Sequence, residues 1–435
     1  MVYGIFSTMN TEKLALQNLD REEQGDRKRF TDRKLGGTAL ADRKERIRKR
    51  YQKLVDDGWG GVHNEQKLYH VVESEEYYLE REKSEKGPNV KNAEVLESLT
   101  NYGIARLGWL GDTLKDGRWD FRATSTSTRR FDDWRHKIDS VATIVLGPML
   151  CGKYPDAGNQ IEIGIDATTW KEDERLPRAV AKREATEYFA EKISRSNNEK
   201  DNYQQPAPFG FSQLDFYTNP VKNKETGGHD KRKIDLIPRF VIGINGEMAD
   251  SIRQYDFTYN SERKKYEPKS VEIINDDPRT VTTQFKVISE INRQAEMMIK
   301  MMPRSYKNRP EFVLAKEKLK VVRDLTNVAL RKSALLTIDA MQKRGMLPAD
   351  VMSEISQSDD AGRVTILEQL FRDPNRRDSD FHYDATYNGI MTAADSFMNG
   401  AESDPDRGGL RVAQTRNKAV MYENGGVRKI TRWTN

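Results

Sequence analysis

Ile138-Asp-Ser-Val-Ala-Thr-Ile-Val-Leu146 and Ile161-Glu-Ile-Gly-Ile-Asp-Ala-Thr-Thr169 are the two runs whose reading decides the fold. Both are short, rich in β-branched residues and separated by turn formers (Pro148, Gly152, Gly158), which marks them as strands. Helix signals alternate with them. Ala93, Leu96, Leu99, Ile104 and Leu107 keep helical spacing upstream, and a Thr/Ser-rich extended stretch follows at 120–130. Downstream, Pro177 opens a helix over 178–195, basic on one side through Arg178, Lys182 and Arg183. Phe211–Tyr217 and Leu236–Ile244 read as further strands. This alternation predicts an α/β (α+β mixed) class, with a core sheet flanked by helices over 91–255.

The texture changes on either side. Asp277-Pro278 starts a helix whose Val281, Phe285, Ile288, Ile291, Ala295, Met298 and Met302 form one apolar stripe. Pro310 opens another towards Gly345, and shorter helical patterns follow at 348–357, 362–372 and 384–398, so 256–400 is an all-α region. Beyond Gly400, a composition of Gly, Asp, Asn and Arg without periodicity reads as a mobile basic tail over 401–435. The N-terminal region, 1–90, is dense in charge. Asp42 is placed to cap a helix carrying Arg43, Lys44, Arg46, Arg48, Lys49 and Arg50, ending at Asp56-Asp57-Gly58. Such a helix is either an arm that meets phosphate backbones or a solvated face interleaved with Glu45. Residues 73–92 are charged and end in Gly87-Pro88, which reads as a linker.

Composition bounds the function. A chain of 435 residues suggests two to three domains, and 36% hydrophobic against 32% charged residues means that part of it is surface or tail. A net charge of +5 permits nucleic-acid binding without demanding it, because clustering matters more than the sum. The lone cysteine, Cys151, excludes an intramolecular disulfide and a Cys-built zinc site. No apolar run is long enough to span a membrane, and the first residues lack a signal-peptide pattern, so the expectation is a cytoplasmic protein with no membrane partner.

Most catalytic patterns are absent. There is no phosphate-binding glycine loop, no Gly-x-Gly-x-x-Gly, no His-Glu-x-x-His and no Gly-x-Ser-x-Gly, and the five histidines are scattered. What remains are carboxylates at strands: Asp139 at the start of one and Asp166 near the end of the next, with Glu94 and Glu97 on the preceding helix. Hard divalent ions take oxygen ligands, so two adjacent strands presenting these aspartates at one edge would seat Mg²⁺ or Mn²⁺. Asp132-Asp133 with His136 offers a second corner, although a loop pair satisfied by Arg129 or Arg135 explains it as well. Asp139 and Asp166 also suit ordinary turn positions.

The order helix with Glu, extended piece, strand with Asp, strand with Asp-x-Thr, basic helix, strand resembles the PD-(D/E)XK (restriction-endonuclease-like) nuclease superfamily. The segments Arg130–Asp139, Gly164–Thr168 and Ile237–Gly243 also resemble a group of bacterial proteins with this layout. The resemblance implies that Glu94 or Glu97 is the helix carboxylate, and that Asp139 and Asp166 are the acids of the two motif halves. It implies Mg²⁺- or Mn²⁺-dependent phosphodiester hydrolysis in DNA or RNA. Two departures stand out: Ile138 replaces the proline before the first acid, and Thr168 stands where the family has lysine. Lys171 or Lys182 on the following helix would have to supply that charge. The competing expectation is a non-catalytic nucleic-acid-binding or assembly protein of a mobile element or virus, built on an inactive nuclease-like fold. A small-molecule enzyme is a third reading, for which no cofactor motif speaks.

Overall fold

The two β-branched runs form adjacent strands, as their composition requires, in a computed structural model. It describes residues 37–85, 88–110, 121–170, 189, 210–223, 225–260, 265–269, 277–302, 309–375, 383–403, 420–423 and 426–429. The chain divides into two compact units, Met1–Lys86 and Gly87–Asn435.

The first unit is a helical hairpin of α1 (Gly37–Asp56) and α2 (Glu65–Glu85). Ile47 and Leu54, seven apart on α1, are buried, as are Leu68, Val71 and Val72 of α2 and Trp59 of the connecting turn. Gly58, at φ 85°, makes the reversal that a side chain would resist. Asn64 then accepts a 2.8 Å hydrogen bond from the Lys67 amide and caps α2. Two expectations need correcting. Asp42 lies inside α1 and does not cap it, because the helix begins at Gly37. The charged stretch from 73 is helical as far as Glu85, since Val71, Val72, Ser74, Glu75 and Glu76 turn a buried face inward.

The second unit is built on a five-stranded mixed sheet of order β1-β2-β3-β5-β4. Its strands are β1 (Phe121–Ser127), β2 (Ser140–Leu146), β3 (Gln160–Trp170), β4 (Phe211–Lys222) and β5 (His229–Asn245). Helix α3 (Pro88–Arg106) precedes β1, a two-turn α4 (Arg130–His136) joins β1 to β2, and α5 (Pro148–Lys153) follows β2. Strand parity sorts the residues. Ala142, Ile144 and Leu146 join Ile161, Ile163 and Ile165 in the main core, while Val141 joins Ile138, Leu214, Tyr217 and Ile237 in a smaller cluster. β2 and β3 are antiparallel, with Ser140 opposite Ile165 and Val141 opposite Gly164. β3 pairs in parallel with β5, from Gly164–Arg239 to Trp170–Asn245.

β4 pairs with β5 only as far as Pro238. The rest of that edge is covered by side chains rather than by a strand. They come from α7 (Pro278–Met301), which follows α6 (Gly246–Asp256) and the hairpin β6–β7 (Phe257–Asn260, Lys265–Pro268). Gln294 accepts from the Val241 amide at 2.9 Å and donates to its carbonyl at 2.6 Å. Glu290 accepts from the Gly243 amide at 2.9 Å, and Asp384 from the Asn245 amide at 3.1 Å. Alternate residues of the strand are thus capped in turn. Asp384 also pairs with Lys286 at 2.9 Å, with both side chains only 1% exposed. Burial pushes the Glu290 carboxyl well above the ordinary range, and the neighbouring Asp384 adds to this.

The remaining helices are α8 (Pro310–Lys343), α9 (Ala349–Gln357), α10 (Asp360–Arg372) and α11 (Ala385–Ser403). Their Leu319, Met341, Leu367, Tyr387 and Phe397 share the main core with the sheet, so the C-terminal helices dock on it. Gly243 is where α11 comes closest: a Cβ there would lie 2.6 Å from Thr386 Cγ2. Within the stretch read as a tail, β8 (Val420–Glu423) and β9 (Gly426–Lys429) form an antiparallel hairpin. No helix among the described residues is long and apolar enough to cross a membrane.

Replacing Gln294 by Leu leaves the amide and carbonyl of Val241 buried and unsatisfied. The expected loss is about 2–4 kcal/mol of stability, read as a lower urea midpoint at unchanged m-value.

Candidate metal centre

The β2–β3 register carries the site. The last cross-strand pair is Ser140–Ile165, and Asp139, in the bend just before β2, bonds the residues on either side of Asp166. Its amide donates to the Ile165 carbonyl at 2.8 Å, and its Oδ2 accepts from the Ala167 amide at 2.6 Å. Asp166 is buried in β3, where it pairs with Val241 of β5.

Two more carboxyls join this pair. Glu97, on α3, accepts 2.6 Å from Ser127 Oγ at the end of β1. Asn101, one turn further along the helix, bonds Ser125 and orients the same strand end. Burial, and then the charge of Asp139, pushes the Glu97 carboxyl up to about 7, with Glu94 adding to the rise. Asp133, on α4, is pushed up to about 6 by burial and by the charges of Asp166 and Glu97, while a hydrogen bond shared with Asp139 works the other way. Glu97, Asp133, Asp139 and Asp166 therefore sense one another as one acidic group. Glu94 is exposed and reaches it only through its charge.

Asp132, next in sequence to Asp133, serves a different purpose. It is fully buried and accepts from the backbone amides of Asp215 at 2.7 Å and Phe216 at 3.0 Å. His136 Nε2 lies 3.2 Å from Asp215 Oδ2, and the Ser212 hydroxyl donates to the His136 carbonyl at 3.0 Å. These bonds bolt α4 onto β4 and so hold Asp133 towards the other carboxyls. Among the described residues, Asp132, His136 and Asp215 are also a set whose ligand atoms all lie within 4.8 Å of one another. That set is tighter than the four-carboxyl group, yet its Asp132 oxygens already satisfy two amides and its imidazole sits against Asp215. The four-carboxyl group offers oxygen donors alone, the kind that a hard divalent ion takes.

The other predicted residues scatter. Lys171, Arg178 and Lys182 lie outside the described residues. Thr168, in the position of the family's lysine, is buried, with its methyl 3.0 Å from where a Gly243 Cβ would be. The basic residues of α1 belong to the first unit. There Arg46 and Arg50 pair with the buried Glu76 at 3.4 and 3.0 Å, Lys49 lies 3.7 Å from Glu45, and Lys44 and Arg48 are exposed. Asp133 is the member that the strand pattern alone does not single out.

Both raised carboxyls give the metal-free protein a definite pH dependence. Their stabilisation is full below the ordinary values of 3.8 and 4.5, and is lost as pH rises through about 6 and about 7. Thermal melts of the wild type should fall across that window, those of Glu97→Gln should fall less, and added Mg²⁺ should restore the wild type above it. No protein-family model, curated protein or solved structure matches this chain, so a functional reading rests on the geometry of these carboxyls.

Proposed function

We propose that the second unit is a divalent-metal-dependent phosphodiesterase acting on DNA or RNA. The observation that carries the reading is that Asp139 bonds the residues on either side of Asp166, with Glu97 and Asp133 beside them, whose carboxyls are raised first by burial and then by the neighbouring acids. Such a group takes up a cation because the cation relieves its repulsion. Asp139, Asp166, Asp133 and Glu97 would hold Mg²⁺ or Mn²⁺, which supplies Lewis-acid polarisation of the phosphodiester and a more acidic bound water.

The chain's own groups do the rest. Glu97, held by Ser127 at the end of β1, is suited to position an attacking water beside the ion. Asn101 and Ser127 fix its orientation through β1. The bolt between α4 and β4 keeps Asp133 in place as charge develops. The exposed Lys44 and Arg48 of α1 suit phosphate-backbone contacts. One observation favours binding without cutting, on an inactive nuclease-like fold: Thr168 brings no charge to the position of the family's lysine.

Cleavage of single- and double-stranded DNA and RNA with Mg²⁺, Mn²⁺ or EDTA separates the two. Catalysis predicts metal-dependent cutting that Asp166→Ala reduces by more than about 100-fold, beyond what loss of a supporting group costs. Binding alone predicts retention of nucleic acid, weakened steeply by salt, with no cutting at any metal concentration.

A further inference from the structure

Away from the carboxyl group, the described residues enclose a cavity of about 420 Å³. It lies between the turn into β3, the hairpin end of β4 and β5, and the first turns of α8. That volume suits a ligand of small-molecule size. Its buried acid is Glu162, four residues before Asp166 on β3 and on the same face, about 13 Å away along the strand. The cavity is therefore separate from the four carboxyls.

Glu162 holds two cations in place. Its Oε1 accepts from Arg232 at 2.5 Å and from Gln160 at 2.9 Å, and its Oε2 accepts from Lys318 at 2.9 Å. The Tyr217 ring centre also lies 5.4 Å from the Arg232 guanidinium carbon. These contacts fix where the cations stand without exhausting them, because an arginine carries five N–H donors and a lysine three. Lys222, exposed near the end of β4, has an ammonium that bonds nothing among the described residues. The acceptors, by contrast, are committed: Glu162 has three donors, and Asp230 takes the Asn223 amide at 3.0 Å.

Open donors facing spent acceptors call for an acceptor-rich anion. A guanidinium fork flanked by two ammoniums matches the oxygens of a phosphate. None of the lining residues is aromatic, so nothing there stacks on a base, while the amides of Asn159 and Asn219 suit hydroxyl groups. We propose that this cavity binds a sugar phosphate, free or within a nucleic-acid backbone, with Arg232, Lys318 and Lys222 on the phosphate. The proposal stands apart from the phosphodiesterase reading, since it needs neither an ion nor cleavage.

Calorimetric titration of the full chain in EDTA with ribose 5-phosphate, ribose and a single-stranded oligonucleotide tests it. Lys222→Gln removes a charge that has no partner, and Arg232→Gln combined with Glu162→Gln removes a cation and its acid together, so both variants should still melt cooperatively. Each should weaken phosphate binding by about tenfold or more, and Asp166→Ala should bind as the wild type does. An oligonucleotide that binds and is weakened by the same variants identifies a nucleic-acid backbone as the ligand. A site that takes ribose 5-phosphate and not the oligonucleotide identifies a free sugar phosphate. Ribose held as firmly as its phosphate, no binding of either phosphate ligand, or binding that both variants leave unchanged would overturn the proposal. None of these outcomes bears on cleavage at Asp139 and Asp166, which the nuclease assay decides by itself.

Discussion

The fold depends on how the chain finishes the unpaired half of β5. A strand in the middle of a sheet needs partners on both sides, and β4 runs out at Pro238. The vacant hydrogen-bonding positions are filled by Gln294, Glu290 and Asp384, residue by alternate residue. This arrangement forces a glutamic acid, a lysine and an aspartate into the interior. Each is tolerable there only because it is bonded or paired. In return β5 is rigid, β3 is held against it in parallel register, and Asp166 is fixed between them.

The carboxyl group sits at the opposite flank of β3, and its order has a different origin. Asp166 is placed by its strand, Asp139 by its bonds to Ile165 and Ala167, Glu97 by a helix tied to the end of β1, and Asp133 by a two-turn helix bolted to β4. Three kinds of constraint thus meet at one point. Burial first, and then the concentration of negative charge, raises Glu97 and Asp133, which is a cost to the folded chain.

What the sequence conveys well is whatever depends on local periodicity. The runs read at 138–146 and 161–169 form the strands at 140–146 and 160–170, α7 and α8 begin at Pro278 and Pro310, and Asp166 sits within its strand. What it conceals depends on distant partners. Lys286, Glu290 and Gln294, spaced four apart on α7, lie outside the apolar stripe that the sequence shows, yet all three are buried. Asp133 reads as half of a loop pair, because α4 has only two turns and the bend at Lys137 has no glycine to announce it. Asp42 looks like a cap because nothing around Gly37 marks the true start of α1.

The capped edge of β5 also bears on the order in which the protein is made. Its caps come from residues that follow it by 47 to 139 positions, and contacts so distant in sequence form late. A ribosome that has released β5 but not yet Asp384 holds a sheet whose second face is open and whose Asn245 amide is unclaimed. Asp139 and Asp166 have by then been synthesised, but the strand that fixes Asp166 has not been secured. The full set of caps on β5 is therefore open to the nascent chain only once Asp384 has been made.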